Sequence, residues 1–174
     1  MTNAPQASGP YVFGLAGWSG SGKTTLAEKL IAKASEEGVV ISSIKHAHHK
    51  FDPDISGKDS WRHRQAGARQ VLVASANRSA LFTENKAPVT PQLDDLLAAL
   101  GPCDMVLVEG FKTAAIPKIE IYAKDVNAAA LFATDPHIMA VTGTQIPDGC
   151  DLPFFHRDDV ASIFAFLRGK ADLS

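Results

Sequence analysis

The run Gly17-Trp18-Ser19-Gly20-Ser21-Gly22-Lys23-Thr24 meets the pattern G-x-x-x-x-G-K-[ST] at every fixed position, and no other stretch limits the fold as strongly. Glycines at these positions let backbone N–H groups of Gly20, Gly22 and Lys23 turn inward around a polyphosphate, where larger side chains would block it. Lys23, expected to face solvent in the empty loop, would reach the β- and γ-phosphates as a point charge. Thr24 would hold Mg²⁺ through its hydroxyl, and Thr25 would bond a phosphate nearer the ribose.

Such a loop requires a buried strand before it and a helix after it. Tyr11 to Ala16 is a nearly continuous apolar run, as expected of a parallel strand covered on both faces. Beyond Thr24, Leu26, Leu30, Ile31 and Ala34 recur at helical spacing, and Gly38 supplies the stop. The chain has 174 residues, a length that predicts one nucleotide-binding domain over 11–174 behind a loose polar tail, 1–10. A net charge of -2 and a pI near 6.3 argue against nucleic acid as a partner. No apolar run is long enough to cross a bilayer. Cys103 and Cys150 lack C-x-x-C spacing and no leader precedes them, which suits a reducing cytoplasm.

The remaining pattern alternates strands with helices. Strands are expected at Val39 to Lys45, Gln70 to Ser75, Ser79 to Thr83, Met105 to Val108, Ile119 to Tyr122 and His137 to Val141. Helices are expected near Ser60 to Ala66, from Pro91 through Leu100, and around Val160 to Leu167. The short Ala76-Asn77-Arg78 link predicts a hairpin that adds an antiparallel pair to the sheet. The fold class is therefore α/β: a mostly parallel twisted sheet with helices on both faces, plus that hairpin.

Glu109 follows the apolar run Met105 to Val108, so it stands at a strand's carboxyl end, where phosphate-loop proteins need a carboxylate near the metal. Asp59, in Gly57-Lys58-Asp59-Ser60, suits either a metal-bound water or a helix N-cap, with Lys58, Arg62 and Arg64 close in sequence. His46, His48 and His49 leave three readings open: a metal site, a grip on an anionic ligand, and a solvated loop. Trp18 occupies a variable loop position, where packing over a nucleotide or a partner competes with plain surface exposure. The chain contains no Asn-Lys-x-Asp, so these residues indicate a nucleoside triphosphate without identifying its base.

Four blocks together resemble the molybdopterin-guanine dinucleotide biosynthesis adapter family, MobB. They are Ala16 to Thr25, Lys45-His46-Ala47-His48-His49, Gly57-Lys58-Asp59-Ser60 with Ala66-Gly67-Ala68, and Leu107-Val108-Glu109-Gly110-Phe111-Lys112. The resemblance implies a homodimeric protein that binds GTP with Mg²⁺ and hydrolyses it weakly. It also implies work beside the nucleotidyltransferase that joins GMP to molybdopterin. On this resemblance Ser19, Gly20, Ser21, Gly22, Lys23, Thr24 and Thr25 form the phosphate site, and Thr24 and Glu109 serve the metal. Lys23, Glu109 and Asp59 would support hydrolysis. His46, His48 and His49, with Lys58 and Arg62, become candidates for a molybdopterin or partner surface, and the hairpin near Ser79 to Thr83 for joining subunits. The chain departs from the family in having Ser56 where relatives carry proline, and Thr142-Gly143 where they carry Ser-Asp.

Two other functions use the same loop. A small-molecule kinase would need an acceptor base and an arginine lid, which Arg62, Arg64 and Arg69 supply poorly. A metallochaperone GTPase would load its metal through the histidine run.

Overall fold

Strand β1, Tyr11–Ala16, lies at the centre of the parallel sheet in a computed structural model that describes residues 9–47, 51–124 and 129–173. It is followed by α1 (Lys23–Glu36), β2 (Ile41–Lys45), α2 (Asp59–Gln65), β3 (Gln70–Ala74) and β4 (Ser79–Thr83). After these come α3 (Leu93–Ala98), β5 (Met105–Glu109), β6 (Lys118–Ile121), a 3₁₀ turn at Leu131–Ala133, β7 (Ile138–Gly143), β8 (Phe154–His156) and α4 (Val160–Lys170). The described residues form two compact units. One runs through His46 and resumes at Leu93; the other is Ala47–Gln92.

In the first unit six parallel strands take the order β2-β5-β1-β6-β7-β8. Both faces of the sheet are covered, so its central strands carry apolar residues at successive positions. Phe13, Met105, Leu107 and Ile119 pack with Leu26 and Leu30 of α1 and with Ile163, Phe164 and Leu167 of α4. The alternate residues Val106 and Val108 join Ile44 on the other face, where Leu93, Leu96 and Leu97 cover them. This two-period alternation assigns the residues of one strand to two separate cores.

Strand β6, Lys-Ile-Glu-Ile, buries its charged residues as well: Lys118 is 2% exposed and Glu120 1%. Both fasten the segment around the 3₁₀ turn. Lys118 Nζ donates to Asp135 Oδ2 at 2.9 Å, and Glu120 accepts the backbone N–H groups of Leu131 and Phe132 at 2.7 and 2.8 Å. Buried charges persist only when paired in this way. Burial raises the Asp135 carboxyl, but hydrogen bonds from Lys118 and from the His137 N–H more than offset it and hold the group below its ordinary range.

In the second unit β3 and β4 pair antiparallel, from Gln70↔Thr83 to Ala74↔Ser79. The hairpin is present as expected, but it makes a two-stranded sheet of its own instead of extending the parallel one. Arg64 of α2 organises this unit. It donates to Glu84 at 2.6 Å, to Asp54 at 3.0 Å and to both oxygens of Asp52 at 2.8 and 2.9 Å, with its guanidinium 5.2 Å from the Phe82 ring centre. Its bond to Asp52, followed by that to Glu84, holds the guanidinium above its already high ordinary pKa. The N-cap of α2 is Lys58, so Asp59 is the first helical residue and not the cap. There its charge complements the N-terminal dipole.

Candidate functional site

The strand β1 ends at Ala16 and α1 begins at Lys23, so the glycine-rich loop is the whole connection between them. Gly17, Gly20 and Gly22 adopt φ of 145°, 79° and 100°, a region that ordinary side chains disfavour. Space excludes a side chain at Gly17 independently: a Cβ there would lie 2.6 Å from Ser21 Oγ and 2.8 Å from the Ile121 carbonyl oxygen. Ser21 is buried, and its hydroxyl has no partner among the described residues, while Ser19 and Gly20 of the loop and Thr24 and Thr25 of α1 are exposed.

Lys23 does not extend into solvent as expected. Its Nζ donates to the carbonyl oxygens of Gly17 at 3.0 Å and Trp18 at 2.7 Å, folding the side chain over the loop. Burial lowers its pKa, and Lys112 and Lys45 lower it further against an opposing pull from Glu109. An ammonium held under such pressure gains from any anion that replaces the two carbonyl oxygens.

Glu109 ends β5 in register with Leu15 of β1 on one side and Lys45 of β2 on the other. Parallel pairing thus brings a carboxylate from residue 109 to a loop at residues 17–24. Thr24 Oγ1 donates to Glu109 Oε1 at 3.4 Å, and Lys45 Nζ lies 3.6 Å from Oε2. A hydroxyl and a carboxylate oxygen side by side are the hard donors that Mg²⁺ accepts. The donor set, the positive-φ glycines of the loop and the three nearby lysines fit a metal-bound polyphosphate.

His46 continues from β2, and its N–H donates to the Glu109 carbonyl oxygen at 2.8 Å. Its ring stacks on Phe111 with centroids 5.1 Å apart, and Gly110 leaves room for it, since a Cβ there would come 2.9 Å from His46 Cβ. His48 and His49 lie outside the described residues. Lys58, Asp59 and Arg62 belong to the second unit. Among the described residues, no cluster of three or more His, Cys, Asp or Glu side chains is suited to a metal ion.

Trp18 is 39% exposed, and its indole N–H donates to the Ala129 carbonyl oxygen at 2.9 Å while Lys112 Nζ stands 5.4 Å from its ring centre. Residue-level reading missed Arg157 altogether. Its Nη2 donates to the Ser21 carbonyl oxygen at 2.7 Å across 136 positions of sequence. No local pattern signals such a contact, because β8 is only three residues long and carries no periodicity.

Residues 12–144 match the family model for MobB, molybdopterin guanine dinucleotide synthesis protein B. The chain is 42% identical over 162 residues to a molybdopterin-guanine dinucleotide biosynthesis adapter protein of Haemophilus influenzae, covering 90% of this chain and 87% of that one. It is 37% identical over 155 residues to the adapter protein of that name from Escherichia coli, covering 87% and 88%. Among solved structures, Bacillus subtilis MobB superposes with a TM-score of 0.68 at 31% identity over 90% of this chain and 95% of that one.

Proposed function

We propose, from the premise that this chain belongs to the MobB family, that it acts as an adapter which binds GTP with Mg²⁺ and presents it to a molybdenum-cofactor nucleotidyltransferase. A role in molybdopterin guanine dinucleotide biosynthesis comes with the family; the nucleotide, the metal and the partner are our reading of the site. The observation that carries it is the Thr24–Glu109 pair, 3.4 Å apart beside the glycine-rich loop. Thr24 and Glu109 would hold the metal, which neutralises phosphate charge when bound, and Lys23 would hold phosphate oxygens. Hydrolysis would be slow, because neither the loop nor Glu109-Gly110-Phe111-Lys112 carries a glutamine to orient water.

Calorimetric titration with non-hydrolysable GTP and ATP analogues, each with Mg²⁺ and with chelator, tests this. Preference for the GTP analogue is expected; preference for the ATP analogue would favour the kinase reading. Replacing Glu109 by alanine is expected to weaken Mg²⁺ by about 10- to 100-fold while changing metal-free nucleotide binding much less. An equal Mg²⁺ response in variant and wild type would remove Glu109 from the metal.

Homodimer formation is also part of the proposal, through the hairpin. Leu72 and Leu81, paired directly across β3 and β4, are 67% and 58% exposed on one face of the hairpin, an apolar surface that pairing with a second copy would cover. Replacing Leu81 by lysine is expected to shift the sedimentation coefficient from dimer to monomer; a wild-type monomer would remove this part. His46, His48, His49, Lys58 and Arg62 remain proposed for the pterin or the partner, with their individual substitution against partner binding as the test. A cytoplasmic location is proposed on the two free thiols, and fractionation of cells checks it. Among the described residues no helix is long and apolar enough to cross a membrane.

A further inference from the structure

Beside the phosphate loop lies a cavity of about 110 Å³, walled by Gly22 and Thr25 and by Ile121, Thr142, Arg157 and Asp158 from the ends of β6, β7 and β8. Strand order gives this cavity its meaning. With the order β2-β5-β1-β6-β7-β8, Glu109 and Lys45 stand at the ends of β5 and β2, on one side of β1. The cavity stands on the other. A nucleotide whose metal-bound phosphates lie by Thr24 and Glu109 therefore runs past Thr25 towards β6, β7 and β8, outside the carboxyl ends of the strands.

Two independent features distinguish this end. Arg157 follows β8 and is fixed at its backbone, where its N–H donates to the Gly143 carbonyl oxygen at 2.8 Å. Its guanidinium then returns to the loop, with Nη2 2.7 Å from the Ser21 carbonyl oxygen and so close to Gly22 that a Cβ there would lie 2.5 Å from it. Separately, Thr142 is fully buried in the cavity wall, and its hydroxyl has no partner among the described residues. A buried hydroxyl left unpaired is unfavourable, and a ligand that offers it a partner gains accordingly.

We propose that this cavity receives the nucleoside end of the bound nucleotide, and that Arg157 is a nucleoside-binding residue, its head anchored on Ser21 and its flat face against the base. This deepens the nucleotide reading above and rests on it. Guanidinium suits the task because it is planar, always charged, and able to donate at its edge while stacking on its face. At its present size, below the roughly 300–1,000 Å³ of pockets that enclose a small ligand, the cavity takes the ribose or one base edge and leaves the base face to Arg157.

The test compares two ligands, a non-hydrolysable GTP analogue and inorganic tripolyphosphate, both with Mg²⁺, on the wild type, Arg157→Ala and Arg157→Lys. For Arg157→Ala the nucleotide is expected to lose about 10- to 100-fold in affinity, as for loss of one stacked base, while tripolyphosphate is nearly unaffected. Arg157→Lys keeps the charge without the plane and recovers little; it carries the same comparison if the alanine variant does not fold. Equal losses for both ligands would make Arg157 a brace of the loop only, and unchanged affinities would leave it no ligand contact; either overturns the proposal. A wild type that binds tripolyphosphate as tightly as the nucleotide also overturns it. A wild type that binds neither ligand overturns the nucleotide reading itself, and this proposal with it.

Discussion

Replacing Lys23 by alanine is expected to lower affinity for a nucleoside triphosphate by about 30- to 700-fold, the equivalent of about 2–4 kcal/mol for lost hydrogen bonds to a charged group. Lys23 opens α1, and its ammonium is the group best placed to follow an anion into the loop. In the folded protein it already sits on two carbonyl oxygens, at 3.0 and 2.7 Å, with burial disfavouring its charge. Phosphate oxygens would replace neutral acceptors with charged ones, and charge-assisted bonds are roughly twice as strong. The variant loses those two loop contacts as well, so a small fall in melting temperature accompanies the loss of binding. Calorimetric titration alongside a thermal melt separates the two effects. An unchanged affinity in a folded variant would show that the loop does not hold a triphosphate.

Replacing Lys118 by methionine is expected to cost about 2–4 kcal/mol of stability, because it leaves the Asp135 carboxylate without its counter-charge. The pair is 2.9 Å apart, with side chains 3% and 21% exposed, so water only partly makes good the loss. Methionine keeps the stem that packs against Gly14, where a Cβ would lie 3.1 Å from Lys118 Cγ. The loss is therefore electrostatic and not a cavity effect. For a chain of this size it corresponds to a fall of roughly 4–16 °C in melting temperature.

The sign of the pH dependence follows from Asp135, whose carboxyl is held below its ordinary range in the folded state. A depressed carboxyl stabilises the fold above its unfolded pKa, and the contribution disappears as pH falls through the lower, folded value. In the variant burial acts unopposed by Lys118, so acid relieves the destabilisation. Denaturant unfolding should show the gap between wild type and variant narrowing as pH falls from neutrality towards about 4, the ordinary carboxylate range. A gap that stays constant would mean that the pair contributes nothing beyond packing. Adding Asp135→Asn should recover part of the loss at neutral pH, since it removes the orphaned charge.

Much of the local geometry of the candidate site was legible from residue types in order. Gly17, Gly20 and Gly22 are glycine for local reasons of backbone conformation, and the apolar run before them and the helical spacing after them are local too. Glu109 was legible because a hydrophobic run ending in a carboxylate places that carboxylate at a strand's end. The expected position of Lys23 was wrong, because the return of its ammonium to Gly17 and Trp18 depends on the curvature of the closed loop. The hairpin was recognisable from its short link, whereas its separation from the parallel sheet was not, because strand partners are a matter of long-range packing.

Strand β6 shows the limit most directly. Lys-Ile-Glu-Ile has the alternation of a half-exposed strand, and yet Lys118 and Glu120 are as buried as Ile119 and Ile121. Their partners, Asp135 and the N–H groups of Leu131 and Phe132, lie 11 to 17 residues away in a segment with no sequence signature.

By itself the sequence determined the family, the alternating α/β order and the loop that can hold phosphates, because each depends on residues adjacent in the chain or spaced by one helical or strand period. Only the tertiary structure decided how close Glu109 comes to Thr24, why buried charges on β6 are tolerated, and that Arg157 reaches Ser21. Those contacts join segments 85, 11 and 136 positions apart, and what brings them together is the stacking of parallel strands around β1, which no local spacing records.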